Sequence, residues 1–304
     1  MEWQDTGIVL AARRHGESGL ILDLLTAEHG RHAGLVRGGQ SPRRRALFQT
    51  GNSLAVVWHG RLAEQLGSYD CELLASPAAG LLDDPDRLAA LNAAVALLLA
   101  SVPEREPYPE IFTSLGILLE TVTENSLSRT AGEGGSGSRP GTGEGLRGNR
   151  LSEDPHPPAG GAAGPPSPAV RERVLEVLCV LPWAMDYVRW ECALLGHLGY
   201  GLDLTRCAAT GATANLTHVS PRTGRAVSAE AAAPYRDKLL PLPPFLTRDT
   251  PATPEDIVAG LNLTRHFLLH HLLLPQGGRW PEARERFAER MRRYAASGMV
   301  ARNQ

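Results

Sequence analysis

Residues 30–61 read GRHAGLVRGGQSPRRRALFQTGNSLAVVWHGR. Two apolar runs flank a centre rich in glycine, serine and proline, which predicts a flexible loop between two strands. The segment contains six arginines and neither aspartate nor glutamate. A loop with this charge predicts a phosphate-binding finger, although a solvated surface hairpin has the same composition. The six are Arg31, Arg37, Arg43, Arg44, Arg45 and Arg61.

The charges of the first 75 residues balance when they are taken together. Eight arginines, which include Arg13 and Arg14 on an early hairpin, are offset by eight acidic residues. All eight acidic residues lie outside residues 30–61, so the basic segment keeps its positive potential. We therefore predict that a nucleic-acid backbone binds mainly between Arg37 and Arg45, with Arg13 and Arg14 as further contacts.

The composition is that of a globular protein with about two domains. The chain has 304 residues and a net charge of −2, so binding of a polyanion must depend on local patches. Four cysteines occur without a CxxC spacing, which argues against a disulfide scaffold. No apolar run approaches the ~20 residues of a membrane span. Because the acidic N-terminus also does not resemble a signal peptide, we expect a cytoplasmic protein.

Residues 1–76 predict five short strands separated by turns, and such a pattern suggests a small closed barrel. Periodicity alone does not distinguish an OB-fold from an SH3-like barrel. Trp3 and Trp58 could stack on bases at the barrel surface, although aromatic residues of a barrel more often fill its interior. The predicted strands are Thr6–Ala12, Gly19–Thr26, Arg31–Arg37, Ser53–Trp58 and Leu62–Leu74.

Residues 77–304 predict an all-helical C-terminal domain apart from a small turn module, so the predicted fold class is α+β. Residues 131–168 contain eleven glycines and seven prolines with almost no large apolar side chain, which predicts a disordered insertion. Residues 204–230 are polar and rich in turns, and they predict a small turn module. The predicted helices are Pro85–Ala100, Pro109–Thr123, Val170–Tyr200 with a break or kink at Pro182, Pro254 to about Leu274, and Pro281–Ala296.

No pattern in the sequence predicts catalysis. Gly38 and Gly39 are not followed by the Gly-Lys-Ser/Thr of a P-loop, and no nucleophile elbow is visible. His266 and His270 have the i, i+4 spacing of paired metal ligands, but no glutamate completes an HExxH-like pattern. Ordinary helix histidines are the commoner explanation. We therefore predict a protein that is not an enzyme and has no cofactor.

Three further stretches, taken in order along the chain, resemble a known family. The succession of barrel, basic loop, helices and a turn module led by a cysteine resembles the bacterial recombination mediator and DNA repair family RecO. The resemblance extends over nearly the whole chain apart from the insertion. It rests on residues 7–10 with 34–39, residues 189–200 and residues 219–228.

This resemblance implies an N-terminal OB-fold that binds nucleic acid, at residues 1–76, and a helical C-terminal domain at residues 77–304. It implies a DNA repair and recombination mediator that binds single- and double-stranded DNA. Such a mediator promotes annealing and recombinase loading on strands coated with single-strand binding protein. The implied partners are DNA, RecR and the acidic C-terminal tail of single-strand binding protein, at the nucleoid and with no membrane. The alternative is a non-enzymatic protein-interaction adaptor whose barrel binds no nucleic acid.

The turn module at residues 204–230 departs from the family pattern. Some members look as if they carry a zinc module here, with two CxxC pairs that bracket a short turn. In this chain Cys207 occupies the first position, whereas Thr210, Ser228 and Ala231 fall where the other thiols would be. One thiolate cannot build a tetrahedral zinc site, even with His218 nearby. We predict a degenerate, metal-free zinc-finger-like module.

Deleting residues 131–168 should leave both stability and DNA binding unchanged. The segment has too few apolar side chains to join a core, so its removal takes away no packing. Calorimetric melting of the full chain and of the deletion variant measures the effect. A large drop in melting temperature would show that the segment packs against the rest of the protein.

Overall fold

The N-terminal part of the chain forms five strands, which are β1 (Glu2–His15), β2 (Gly19–Thr26), β3 (Gly30–Val36), β4 (Ser53–His59) and β5 (Ser68–Ala75). They close into a barrel in the order β1-β2-β3-β5-β4, and β4 pairs with β1 to complete the ring. Neighbouring strands are antiparallel except for β3 and β5, which pair in parallel at Leu35 and Ser68. Apolar side chains fill the barrel, including Val9, Leu22 and Leu54.

The computed structural model describes residues 1–62, 65–81, 83–130 and 182–302. The predicted insertion at 131–168 lies outside the described residues, as does the first part of the helix predicted from Val170. The predicted α+β class is confirmed, with a five-stranded N-terminal sheet and a helical C-terminal region.

The five predicted strands are all present, but the fifth begins at Ser68 rather than at Leu62. The reason is the indole of Trp58, which lies against the chain on both sides of this connection. A Cβ atom at Gly60 or Gly67 would stand only 2.2 or 2.4 Å from the Trp58 ring. Gly67 also has a φ of +59°, so the chain turns here and cannot continue as a strand.

Seven helices follow or interrupt the strands in the described residues: α1 (Pro42–Arg45), α2 (Pro85–Ser101), α3 (Pro109–Thr130), α4 (Pro182–His197), α5 (Ala229–Ala232), α6 (Pro254–Phe267) and α7 (Glu282–Arg302). Two starts are capped by side chains. Asp84 accepts hydrogen bonds from the amides of Asp86 and Arg87 at the start of α2, and Thr253 forms a capping box with Asp256 at α6.

Two features of the C-terminal part differ from the sequence prediction. The helix expected to continue to Leu274 changes after Phe267 into a π-helical turn, Leu268–Leu273. The C-terminal part is also not all-helical. The turn-module region contributes a three-stranded antiparallel sheet in the order β7-β6-β8, whose members are β6 (Leu216–Val219), β7 (Ala226–Ser228) and β8 (Leu240–Pro241).

A buried ion pair lies at the centre of the helical core. Arg284 on α7 and Glu191 on α4 are both fully buried and form a two-pronged pair, with 2.9 Å between Nη2 and Oε2. Thr264 on α6 donates to the same carboxylate, and Arg284 also donates to the carbonyl of Leu261 at 3.0 Å. Three helices therefore depend on one charged contact.

Replacing Glu191→Gln should destabilise the protein by about 3–5 kcal/mol, because the buried guanidinium of Arg284 would lose its countercharge. Urea unfolding measures the free energy of unfolding. Glu282→Gln is the matched control, since Glu282 pairs with Arg286 at the surface and its loss should cost less than about 0.5 kcal/mol. Equal effects of the two variants would contradict the assigned role of the buried pair.

Candidate nucleic-acid interface

The centre of the basic segment is a helical turn, not the flexible loop that its composition predicts. Ser41 precedes α1 in extended conformation and Pro42 occupies the first helical position, where its fixed φ favours a helix start. Arg43, Arg44 and Arg45 then follow on consecutive positions. Because successive residues of a helix are rotated by about 100°, the three guanidinium groups leave α1 in different directions.

The arginines of the basic segment have different surroundings. The guanidinium of Arg44 donates to the carbonyl of Arg37 at 2.9 Å and lies 5.9 Å from the centre of the Phe48 ring, so it fastens α1 to the barrel. Arg37, Arg43 and Arg45 are exposed. In the described part of the chain no carboxylate forms an ion pair with these three, so their charge is available to a ligand.

Gln40 joins the basic segment to the β1–β2 hairpin. Its side-chain amide donates to the carbonyls of Gly16 and Gly19, at 3.1 and 2.8 Å, and its backbone amide donates to Ser18 at 3.1 Å. The hairpin that carries Arg13 and Arg14 therefore lies beside the segment that carries the other arginines. We call this surface the basic ridge, formed by Arg13, Arg14, Arg37, Arg43, Arg44 and Arg45.

Two predicted contacts lie outside the basic ridge, and one member is partly neutralised. Arg13 forms an ion pair with Asp23 across the hairpin, at 2.8 Å. Arg31 is engaged between the barrel and the helices, where it donates to the carbonyl of Leu99 at 2.6 Å. Arg61 is exposed in the β4–β5 connection, a different loop. Six of the eight predicted residues thus lie on two adjoining segments of the chain, the β1–β2 hairpin and the segment from Arg37 to Arg45.

The two tryptophans considered for base stacking belong to an internal aromatic cluster. Trp58 is 1% exposed and its indole donates to the carbonyl of Leu66 at 3.2 Å, so the interior interpretation is correct for this residue. Trp3 stacks on the ring of His29, with 3.9 Å between the ring centres. His32 is buried beside Tyr69, and burial together with the charge of Arg105 lowers the pKa of His32 to about 4.

An acidic surface on the barrel was missed by sequence reasoning. A shallow cleft of about 720 Å³ lies over strands β1, β4 and β5, and its lining includes Glu28, Asp70 and Glu72. His59 extends the charged surface through contacts with Asp70 and Glu2, at 3.2 and 3.3 Å. Glu2 and Glu28 are far in sequence from Asp70 and Glu72, so only the strand pairing reveals that these carboxylates share a face.

A groove of about 560 Å³ runs between the barrel, α2 and α7. Its floor is largely apolar and includes Leu10, Leu88 and Ala96, while Arg286 and Arg290 of α7 stand at its rim. Arg290 is held by Asp86 at 2.5 Å, whereas Arg286 is exposed and contacts Glu282 at 3.4 Å. The groove combines apolar surface with positive charge.

The region predicted to form a degenerate zinc-like module, residues 204–230, is held in part by hydrogen bonds around one thiol. Cys207 is buried, and its sulfur accepts a hydrogen bond from the amide of Ser228 at 3.2 Å. Burial alone would raise the pKa of the Cys207 thiol, but hydrogen bonds from Ser228 and Thr210 lower it to about 6. One thiolate with a threonine, a serine and an alanine does not fit the donor set of a zinc site. Among the described residues no group of three or more His, Cys, Asp or Glu side chains has the geometry of a metal site.

Comparison with known proteins identifies the family. The family model "Recombination protein O N terminal" matches residues 1–77, and the model "Recombination protein O C terminal" matches residues 172–279. The DNA repair protein RecO of Rhodospirillum rubrum is 42% identical over 299 residues, which cover 98% of this chain and 99% of the relative. The chain belongs to the RecO family.

Two further RecO proteins match to a similar extent. The one from Rhodospirillum centenum is 43% identical over 303 residues, with 99% of both chains covered. The one from Jannaschia sp. is 38% identical over 299 residues, with 98% of this chain and 99% of the relative covered. RecO family membership supports a role in DNA repair and recombination, as the sequence resemblance implied. None of the helices in the described ranges has the length and apolar character needed to cross a bilayer.

The purified protein should contain far less than one zinc per chain, because only Cys207 supplies a thiolate to the module. Elemental analysis after dialysis measures the metal content. The matched control replaces Thr210→Cys, Ser228→Cys and Ala231→Cys together, which should restore binding of about one zinc per chain. About one zinc in the unmodified protein would contradict the prediction.

Proposed function

We propose that this RecO protein binds single- and double-stranded DNA through the basic ridge. In this role it promotes annealing and recombinase loading on strands coated with single-strand binding protein. The observation that carries the proposal is the group of exposed arginines Arg37, Arg43 and Arg45, which have no carboxylate partner in the described residues. Arginine forks match phosphate geometry, and contacts to phosphate supply most of the affinity of non-specific DNA binding.

The barrel topology supports this proposal. A closed five-stranded barrel in the order β1-β2-β3-β5-β4 is the arrangement expected of an OB-fold, a fold that often binds single strands. We propose that residues 1–76 form this OB-fold domain and that residues 77–304 form the second domain. The boundary falls just after β5, where Pro77 begins a short 3-10 turn.

The barrel has negative charge at the acidic cleft and positive charge at the basic ridge. A DNA strand is repelled by the negative charge of the surface that carries Glu28, Asp70 and Glu72, and it is attracted by the basic ridge. We therefore propose that DNA lies along the ridge in one preferred position. The mechanism is binding and handover, with no covalent step and no cofactor.

Replacing Arg37→Ala, Arg43→Ala and Arg45→Ala together should flatten the log–log salt dependence of single-strand binding by about two units, since each lost phosphate contact contributes about 0.7. Fluorescence anisotropy over a range of salt concentrations measures the slope. Because the contacts are to phosphate, the loss should be similar for every DNA sequence. Arg44 is left in place because it fastens α1.

A matched control removes the same charge elsewhere, with Arg236→Ala, Arg248→Ala and Arg293→Ala, all of which are exposed. This control should leave the salt slope unchanged. If the ridge variant folds and keeps both its affinity and its slope, the ridge is not the DNA contact. If the unmodified protein binds no DNA at low salt, the adaptor alternative is favoured.

The groove between the barrel, α2 and α7 fits the proposed second partner, the acidic C-terminal tail of single-strand binding protein. The family resemblance implies a tail that ends in an apolar residue and a carboxylate. The floor at Leu88 and Ala96 suits the apolar side chain, and Arg286 and Arg290 at the rim suit the carboxylate. RecR is proposed as a further partner on family membership alone.

Arg286→Glu should weaken binding of a tail peptide by about tenfold, because it removes a charged hydrogen-bond donor at the rim of the groove. Calorimetric titration of the peptide at low salt measures this change. Arg293→Glu on the same helix makes the same charge reversal outside the groove and is the control. No binding to the unmodified protein, or equal weakening by both variants, would remove the groove from the proposal.

A further inference from the structure

We propose a second anion site in the C-terminal part of the chain, a crevice that binds a single phosphate group. The crevice has a volume of about 200 Å³ and lies between the end of α4, the turn that joins β6 to β7, and the π-helical turn. It is smaller than the roughly 300–1,000 Å³ of sites for drug-sized ligands, so it suits one small group. Its lining includes Tyr200, Arg222, Thr223 and His271.

The chemistry of the lining is that of an anion site. Arg222 and Thr223 are exposed side chains of the β6–β7 turn, and Tyr200 faces them with 39% of its surface exposed. An arginine, a histidine, a threonine and a tyrosine therefore line one small space. None of the described residues that line it is acidic, and no described carboxylate forms an ion pair with Arg222.

In the part of the chain that the structure describes, the neighbouring arginines, unlike Arg222, form ion pairs with carboxylates. Arg225 forms an ion pair with Asp203 at 3.6 Å, and Arg265 forms one with Glu285 at 3.4 Å. Their charges are partly neutralised, whereas the charge of Arg222 is left for a ligand. An exposed arginine at a small polar crevice can bind phosphate with two parallel hydrogen bonds.

The turn that carries Arg222 is held in place by two histidines. The Nε2 atoms of His266 and His271 each lie 3.1 Å from the carbonyl oxygen of Pro221. A carbonyl oxygen only accepts hydrogen bonds, so both rings carry a hydrogen on Nε2. The two imidazoles thus fix the residue directly before Arg222.

The π-helical turn explains how two histidines five residues apart reach one atom. In a regular α-helix, residues i and i+5 point about 140° apart. The wider turn at Leu268–Leu273 brings His271 towards the face of His266. Such turns are frequent at functional sites, and this one positions the wall of the crevice.

Three glycines contribute backbone to the lining of the crevice, and at Gly199 a Cβ atom would meet nothing within 4 Å. Gly199 and Gly224 have φ values of +87° and +68°, in the left-handed region that favours glycine. Gly201 completes the opposite wall. A phosphate in the crevice would therefore meet backbone as well as side chains, as in other phosphate sites with bare backbone.

The phosphate could belong to the DNA backbone or to a free phosphate, and the DNA source rests on the proposed function. A peptide carboxylate is less well suited, because the apolar groove beside α2 and α7 offers a place for the apolar residue of such a peptide and this mainly polar crevice does not. Binding of free phosphate does not depend on the proposed function.

The test titrates inorganic phosphate into the full chain at constant ionic strength and follows the histidine ring signals by NMR. The His271 signal, assigned with His271→Asn, should shift in a saturable way. Arg222→Gln should weaken the apparent affinity about tenfold, and Arg222→Lys should retain most of it. Arg225→Gln is the matched control and should have no effect, since Arg225 is paired with Asp203.

The absence of a saturable shift, or an unchanged titration in Arg222→Gln, would overturn the proposal. A stronger response to a peptide carboxylate than to phosphate would overturn it as well. The log–log salt slope of single-strand binding distinguishes a DNA phosphate from free phosphate. If the phosphate belongs to DNA, Arg222→Gln should reduce the magnitude of this slope by about 0.7; otherwise the slope should not change. If the ridge variant keeps the DNA affinity and salt slope of the unmodified protein while the His271 shift persists, the proposed function is contradicted and the phosphate site is still supported.

Discussion

Gly30 and Arg31, at the start of β3, hold the barrel against the helical part of the chain. The φ of Gly30 is +68°, and a Cβ atom there would lie 2.0 Å from the carbonyl oxygen of Glu106, so the two segments can approach this closely only at glycine. Arg31 donates to the carbonyl of Leu99 and pairs with Glu104, and its own carbonyl accepts from the amide of Arg105 at 2.7 Å. The position of the barrel relative to the helices depends on this junction.

The same strand carries the junction at one end and the proposed DNA contact at the other. Arg31 is the second residue of β3 and Arg37 follows its last residue, so about 20 Å of extended chain separate the two side chains. Docking to the helices therefore does not compete with the exposed arginines of the ridge. The groove with Arg286 and Arg290 and the crevice with Arg222 are formed by other elements, so these two arginine-bearing surfaces are separate from the basic ridge.

Much of the fold could be predicted from the sequence because local signals are strong. Short runs bounded by turn residues identified the strands, and Pro254 marked the start of α6. The roles of individual charges depend on tertiary contacts, which the local sequence does not show. Arg31 and Arg37 both belong to the basic segment, but Arg31 contacts the carbonyl of Leu99 and Arg37 is exposed. The π-helical turn brings His266 and His271 to one carbonyl oxygen of Pro221, and helical periodicity does not encode this turn. The acidic cleft likewise depends on the pairing of distant strands.

Photo-cross-linking tests most directly whether DNA lies on the basic ridge. A benzoylphenylalanine at position 45, on α1, is compared with one at position 72, on the acidic surface of β5; both positions are exposed. If DNA lies on the basic ridge, single-stranded DNA should cross-link strongly from position 45 and not from position 72. Cross-linking from position 72 that equals or exceeds that from position 45 would contradict it.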